Sequence, residues 1–174
     1  MIVNLEHLEN KDIDSRVHKV RAIIMNPDGK IYITNMDSSY NLPGGRVEVR
    51  ENLEDALIRE VKEELGVRVL KKEIRYIGNI TFWHKNFPGG QNKVNRENMV
   101  DLFWITVPKE VDMSHVSLTN YEKHYHFCLM NCGMEEIKKL LLEQNDNEYK
   151  KFTDVELKVC LEEFLKYQER DSIC

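Results

Sequence analysis

The strongest local constraint on the fold lies in residues 51–67, ENLEDALIREVKEELGV, which have the pattern of an amphipathic helix. Asn52 suits the start of this helix, because its side-chain oxygen can accept one of the backbone N–H groups that a first turn leaves without a partner. Gly66 suits its end, because glycine adopts the left-handed conformation that stops a helix. The sequence therefore predicts a helix from Asn52 to Leu65 with two defined ends.

Three glutamates crowd one side of this predicted helix. At about 100° per residue, Glu60, Glu63 and Glu64 fall beside the apolar stripe rather than opposite it. Like charges at these spacings repel, and partial burial strengthens the repulsion. A divalent cation would offset it, since carboxylate oxygens are ligands that Mg²⁺ and Mn²⁺ prefer. The alternative is an acidic face in contact with water. The apolar stripe consists of Leu57, Ile58, Val61 and Leu65.

The surroundings of the helix favour the cation. Gly45 is followed after five residues by Glu51, and after seven more by the run REVKEELGV, residues 59–67. This pattern resembles, at every position, the Nudix box, which is the signature of the Nudix hydrolases. The order of strands and helices on either side also resembles that family over most of the chain.

The resemblance implies a fold and a reaction. The implied fold is α/β (α+β), an α/β/α sandwich with a mixed β-sheet between helices, formed by residues 1–174 as a single Nudix hydrolase domain. The implied activity is cleavage of a diphosphate (phosphoanhydride) bond in a nucleoside diphosphate linked to another moiety, or in a nucleoside triphosphate. Mg²⁺ or Mn²⁺ would be the cofactor, and homodimers are common in the family.

The box also implies roles for individual residues. Glu63 and Glu64 would act both in catalysis and in metal binding. Arg59 and Glu51 resemble a supporting ion pair that orients the ligand carboxylates, so they join the catalytic group. The implied metal-binding residues are Gly45, through its backbone, and Glu60, Glu63 and Glu64.

The general base lies outside what the box alone assigns, since family members differ in this residue. Glu97 enters a predicted strand, and Glu122 lies in the stretch TNYEKHYH before the penultimate helix. Both are candidates, with Glu122 ahead because the family often supplies such a residue there. The alternative for each is an ordinary surface glutamate.

The stretch 85–96, KNFPGGQNKVNR, offers candidates for substrate binding, because it is basic in an otherwise acidic protein. It could close over a polyphosphate, or it could be a solvated hairpin tip. Phe82 and Trp83 could stack on a base, or they could pack inside the protein. The basic candidates are Lys85, Lys93 and Arg96.

The amino-acid composition limits the kinds of partner that the protein is expected to bind. The net charge of −5 argues against a general nucleic-acid or membrane-surface binder. The resemblance to the Nudix hydrolases implies a small nucleoside diphosphate derivative as the partner. No apolar run is long enough to span a membrane. The N-terminus lacks a signal pattern, and the four cysteines show no disulfide framework. We therefore expect reduced thiols and a cytoplasmic protein.

Other elements are less sharply defined. PDG at 27–29 predicts a hairpin between the strands 16–26 and 30–36. The remaining predicted elements are strands at 68–85, 98–108 and 123–130, a loop at 86–97, and helices at 133–144 and from Thr153 to about Tyr167.

Two other functions remain open. One is a non-catalytic Nudix-fold module that senses a nucleotide, although a pure binder would not need every box carboxylate. The other is an RNA 5′-end pyrophosphohydrolase, which predicts a wide basic groove. Signatures that mark ADP-ribose, diadenosine polyphosphate and NADH enzymes are missing downstream of the box, so the sequence assigns no substrate.

Overall fold

A computed structural model describes residues 1–89, 92–143 and 146–172. Its helices are α1 (Leu53–Leu65), α2 (Asn120–His124), α3 (Met134–Leu142) and α4 (Lys150–Asp171), with short 3₁₀ turns at Asn10–Asp12, Lys71–Glu73 and Met113–His115. Its strands are β1 (Ile2–Val3), β2 (Ser15–Ile23), β3 (Ile31–Met36), β4 (Ser39–Asn41), β5 (Ile74–Gly89), β6 (Asn92–Ile105) and β7 (Cys128–Cys132).

The strands form two sheets. The larger has the order β1-β5-β6-β2 and is mixed: β5 and β6 are antiparallel, whereas β1 lies parallel to β5 and β2 parallel to β6. The smaller sheet, β4-β3-β7, is antiparallel. In the described part of the chain, no helix is long and apolar enough to cross a membrane.

Each side of the strands carries a separate apolar core. One core joins α1 to the strands, through residues that include Leu57, Val61, Leu65, Val20, Ala22, Ile24 and Phe103. The other joins α3 and α4 to the strands, through residues that include Ile137, Leu157, Leu161, Phe164, Ile80, Phe82 and Leu102. The predicted fold, a mixed sheet between helices, is confirmed.

Both predicted ends of α1 are present. The side chain of Asn52 accepts a hydrogen bond from the Asp55 backbone N–H at 2.9 Å. Gly66 has a φ of 69°, and its N–H donates to the Lys62 carbonyl. Leu57 and Val61 are fully buried, as the apolar stripe predicted.

A buried polar cluster ties α4 to three strands. Glu156 on α4 accepts hydrogen bonds from Lys19 of β2, at 3.3 Å, and from the Asn98 amide of β6, and its carboxylate lies 3.2 Å from His84 Nε2 of β5. Burial alone would raise the pKa of Glu156, but the nearby charges of Lys19, His84 and Arg21 lower it below its usual value. Glu156 is therefore held as an ion inside the protein.

Several predicted boundaries were wrong because distant partners decide strand pairing. PDG does form a turn, and a short hairpin follows it: the Asn26 N–H donates to the Lys30 carbonyl and the Tyr32 N–H to the Ile24 carbonyl, both at 2.9 Å. Beyond it β2 and β3 diverge into different sheets, so the hairpin is shorter than predicted. The predicted loop 86–97 is mostly strand, since β5 runs to Gly89 and β6 begins at Asn92. Phe87 packs against Phe152 of α4 there, which anchors the extended hairpin.

The region after β6 also differs from the prediction. The predicted strand 123–130 is divided between α2 and β7. The last helix begins at Lys150 rather than near Thr153, whose hydroxyl donates to the Lys150 carbonyl at 3.1 Å inside the helix. Thr153 and Glu156 have the spacing of a capping box, which predicts a helix start at Thr153, but Thr153 lies inside α4 and the Glu156 carboxylate belongs to the buried cluster.

Candidate active site

The Gly44–Gly45 loop brings the box together by running between β2 and α1. The Val20 N–H donates to the Gly45 carbonyl at 2.9 Å, which pins the loop to β2. A side chain on Gly45 would collide with the carboxylate of Glu60. Glycine at this position therefore lets a box carboxylate lie directly against the loop.

Two of the box carboxylates are held in surroundings that disfavour their charge. Glu64 is only 5% exposed, and its Oε2 accepts a hydrogen bond from the Gly44 N–H at 2.8 Å. Burial raises the pKa of Glu64 to about 8, against the opposing effects of Arg21 and of the Gly44 N–H. Burial also raises the pKa of Glu60, although Arg59 acts in the opposite direction. A positive charge beside them would therefore stabilise both ions.

Arg59 connects Glu51 to two of the three clustered box carboxylates, Glu60 and Glu63. Its Nε and Nη2 each donate to Glu51 at 2.9 Å, a bidentate pair. Its Nη1 donates to Glu60 at 2.8 Å and to Glu63 at 3.3 Å. These contacts raise the pKa of Arg59 and lower that of Glu51, so this pair stays ionised. The ion pair that the box implies is present as a contact.

The donor set fits a divalent cation, although its side chains now have other partners. Within residues 1–89, 92–143 and 146–172, no three histidine, cysteine, aspartate or glutamate side chains converge closely enough to hold a metal ion. Glu60 and Glu63 contact Arg59, and Glu64 contacts the Gly44 N–H. Three carboxylates in one helical turn, two of them with raised pKa values, nevertheless match the hard oxygen ligands of Mg²⁺ or Mn²⁺.

The two candidate bases lie in different surroundings. Glu122 is in α2, and its negative charge contributes to the raised pKa of Glu64, so it lies in the neighbourhood of the box. Glu97 is inside β6, where it pairs with Arg16 at 3.2 Å and accepts a hydrogen bond from the Trp83 indole at 2.9 Å. Of the two candidates, Glu122 is the one whose charge contributes to the raised pKa of a box carboxylate.

The candidate substrate-binding residues are dispersed. Phe82 is fully buried in the core on the α4 side, and Trp83 is engaged with Glu97. Lys93 forms an exposed ion pair with Glu148 at 3.7 Å. The other two basic candidates are Lys85, which is exposed, and Arg96, whose guanidinium lies 4.3 Å from the centre of the Phe87 ring.

Sequence reasoning missed Arg21, a buried residue of β2 that donates hydrogen bonds to the loop containing Gly44. It is 9% exposed, and its Nη1 donates to the carbonyls of Leu42, at 3.0 Å, and Gly44. Its charge also opposes the raised pKa of Glu64. The available signal was an arginine inside the apolar run VRAII, since a buried charge requires partners.

The chain is similar to known proteins over most of its length. A family model described as NUDIX domain matches residues 16–154. A solved structure, a NUDIX hydrolase from Nitrosomonas europaea, has a TM-score of 0.57 at 16% identity, and the match covers 87% of this chain and 89% of that one. At this identity the likeness concerns the fold.

Two bacterial relatives match shorter stretches. A Bacillus subtilis protein with the provisional name 8-oxo-dGTP diphosphatase YtkD is 49% identical over 51 residues, 29% of this chain and 31% of that protein. The 8-oxo-dGTP diphosphatase of Haemophilus influenzae is 38% identical over 69 residues, 36% of this chain and 51% of that protein. The matched part thus spans about half of these relatives' length or less.

Proposed function

The chain belongs to the NUDIX domain family, and from that premise we propose that it is a Mg²⁺-dependent pyrophosphohydrolase. Its substrate would be a nucleoside triphosphate or a nucleoside diphosphate linked to another group. The observation that carries the proposal is the pair of carboxylates, Glu60 and Glu64, whose charge is disfavoured by burial next to the Gly44–Gly45 loop. Such a site gains stability when it binds a cation.

The residues of the box would have different roles in this reaction. Glu60, Glu63 and Glu64 would hold the cation, which neutralises diphosphate charge and lowers the pKa of a coordinated water. Arg59, fixed by its bidentate pair with Glu51, orients Glu60 and Glu63. Gly44 fixes Glu64 through its N–H.

Glu122 is our candidate for the general base, since it is the candidate whose charge acts on Glu64. A general base must reach the attacking water directly or through one further water. The role predicts that Glu122→Gln lowers the turnover rate more than the apparent KM. Equal rates for Glu122→Gln and the wild type would remove Glu122 from the mechanism.

Nucleoside triphosphates, 8-oxo-dGTP among them, are the first substrates to test, because two relatives carry that activity in their names. The panel also includes ADP-ribose, nucleotide sugars, dinucleoside polyphosphates and a 5′-triphosphorylated RNA. Product identification then shows which phosphoanhydride bond is cleaved.

The test of the box uses Glu63→Gln and Glu64→Gln, which keep side-chain size and remove the charge. We expect each to lower Mg²⁺-dependent turnover by at least about 100-fold, because losing even an outer partner of a metal ligand costs up to that factor. Glu54→Gln in the first turn of α1 is the matched control, since Glu54 occupies a position that the box pattern leaves unspecified, and its side chain is half-exposed. Near wild-type rates in both box variants would contradict the proposal, and binding without turnover across the panel would favour the sensing module.

A further inference from the structure

The segment 112–117 is fastened to the C-terminal end of α1. The Asp112 N–H donates to the Leu65 carbonyl at 3.0 Å, and the Ser117 N–H donates to the Glu63 carbonyl at 2.8 Å. Gly66 packs so closely against the Asp112 carbonyl that a side chain there would collide with it. Side chains on this segment therefore keep a fixed position relative to Glu63.

His115, on this segment, has a defined ring orientation. Its Nδ1 lies 2.7 Å from Asp112 Oδ2 and 3.1 Å from the Ser114 hydroxyl, which itself donates to Asp112. The contact with Asp112 favours a proton on Nδ1, because a carboxylate oxygen can only accept a hydrogen bond. In the described part of the chain no hydrogen bond involves Nε2, and the side chain is 67% exposed. Nε2 is thus the ring nitrogen that a ligand can reach.

His115 faces a cavity that also contains a box carboxylate. The cavity has a volume of about 470 Å³, and its lining includes Arg59, Lys62, Glu63, His115 and Ser117. Asp55 and Ile58 complete it on the outer side of α1. The cationic side chains of Arg59 and Lys62 line this space, which opens beside Glu63. Cationic side chains arranged in this way suit a phosphate group.

We propose that His115 is a substrate-binding residue: with both ring nitrogens protonated in the complex, its Nδ1–H donates to Asp112 and its Nε2–H donates a hydrogen bond to a phosphoryl oxygen of the diphosphate chain. The proposal rests on the proposed function, which places that chain at the box carboxylates. Asp112 is the positioning residue, because its contact with Nδ1 fixes the orientation of the ring. Lys62 supplies a second positive charge to the same phosphate.

Binding of imidodiphosphate, the P–NH–P analogue of diphosphate, tests the proposed role of His115 without turnover. We expect His115→Ala to bind it about tenfold more weakly than the wild type in the presence of Mg²⁺, the loss of one charge-assisted hydrogen bond, as measured by calorimetry. His115→Lys keeps a positive charge and should recover part of the affinity. His126→Ala is the matched control, since His126 is also exposed and its Nδ1 lies 3.0 Å from Asp37; its affinity should equal that of the wild type.

A second readout follows the ring itself. In the wild type, the Nε2 resonance of His115 should shift when imidodiphosphate is added, while that of His126 stays in place. Equal binding by His115→Ala and the wild type, no binding by the wild type, or an unmoved His115 resonance would each overturn the proposal. Failure of the whole substrate panel would contradict the hydrolase proposal and leave this binding comparison intact.

Discussion

At the scale of single residues, two adjacent glycines serve different purposes. Gly44 has a φ of 130°, and a side chain there would collide with the backbone of Val20, so its role concerns the path of the chain. A side chain on Gly45 would instead collide with the Glu60 carboxylate, the mobile end of a side chain. Gly45 therefore concerns the position of a proposed metal ligand.

This difference predicts that Gly45→Ala impairs activity and spares stability. The added methyl group pushes the Glu60 carboxylate away, and a displacement of about 1 Å in a catalytic group can cost roughly 100-fold in rate. The side chain can rotate, so the thermal midpoint should stay close to that of the wild type. Initial rates with Mg²⁺ and a thermal unfolding curve check both parts.

Gly78→Ala is the control for this substitution, because nothing lies within 4 Å of the methyl group it would add. It should leave the rate unchanged. A Gly45→Ala variant with the wild-type rate would show that Glu60 does not need its position against the loop.

At the scale of elements, the C-terminal end of α1 both terminates the helix and packs against the segment 112–117. Gly66 ends α1 in the left-handed conformation, and the same residue provides the space for the Asp112 carbonyl. The segment 112–117 in turn satisfies the carbonyls of Leu65 and Glu63, which the end of a helix leaves without partners. The helix end and the His115 segment are thus one packed unit.

Gly66→Ala should therefore destabilise the protein more than a positive φ alone would. An alanine in the left-handed region costs about 1 kcal/mol or somewhat more. Gly29→Ala isolates that cost, since Gly29 has a φ of 77° with nothing within 4 Å of an added methyl group. We expect Gly66→Ala to lose at least about 1 kcal/mol beyond Gly29→Ala in urea unfolding, because the chain must also move away from Asp112. Equal losses of unfolding free energy in the two variants would show that the chain moves away from Asp112 without an energetic penalty.

At the scale of the whole molecule, the strands of the two sheets separate two cores, and the core on the α4 side contains a charge as well as apolar side chains. Glu156 joins α4 to β2, β5 and β6 through Lys19, His84 and Asn98. Removing one partner of a buried ion pair leaves the other charge uncompensated, which is more costly than losing an exposed pair. The attachment of α4 therefore depends on the ionisation of one carboxylate.

The stabilisation by Glu156 should depend on pH. Its pKa is lower in the folded protein, so its contribution is complete above the unfolded value, about 4.5, and is lost as pH falls towards the folded value. Glu156→Gln should cost about 3 kcal/mol near pH 7. The difference between variant and wild type should shrink as pH falls below about 4.5.

Urea unfolding of both proteins over this pH range measures the effect. Glu162→Gln is the control, because Glu162 is an exposed residue of the same helix, and its unfolding free energy should follow that of the wild type. A difference for Glu156→Gln that stays constant with pH would mean that the carboxylate contributes by shape rather than by charge.

The box and α1 could be predicted from the sequence because their determinants are local. The capping side chain of Asn52, the stop at Gly66 and the burial of Leu57 follow from spacing along one helix. The crowding of Glu60, Glu63 and Glu64 follows from the same spacing. These features would be present in any fold that buries the apolar stripe of α1.

The predictions that were wrong concern segments whose strand-pairing partners lie far along the chain. The hairpin at PDG is shorter than predicted, since β2 pairs with β6 and β3 pairs with β7. The loop 86–97 becomes strand because β5 and β6 continue to pair and Phe87 finds α4. Strand pairing is decided by partners far along the chain, which a local pattern does not contain.

The sequence by itself determined the family, the capped helix and the crowding of carboxylates, because periodicity and end signals act within a few residues. Only the tertiary structure decided which charges are buried. It brought Arg21 into contact with the loop before Gly45 and buried Glu156 between α4 and three strands. It also placed His115 in the same cavity as Glu63. Burial and ion pairing depend on contacts between segments that are distant in sequence, and these contacts exist only once the chain has packed.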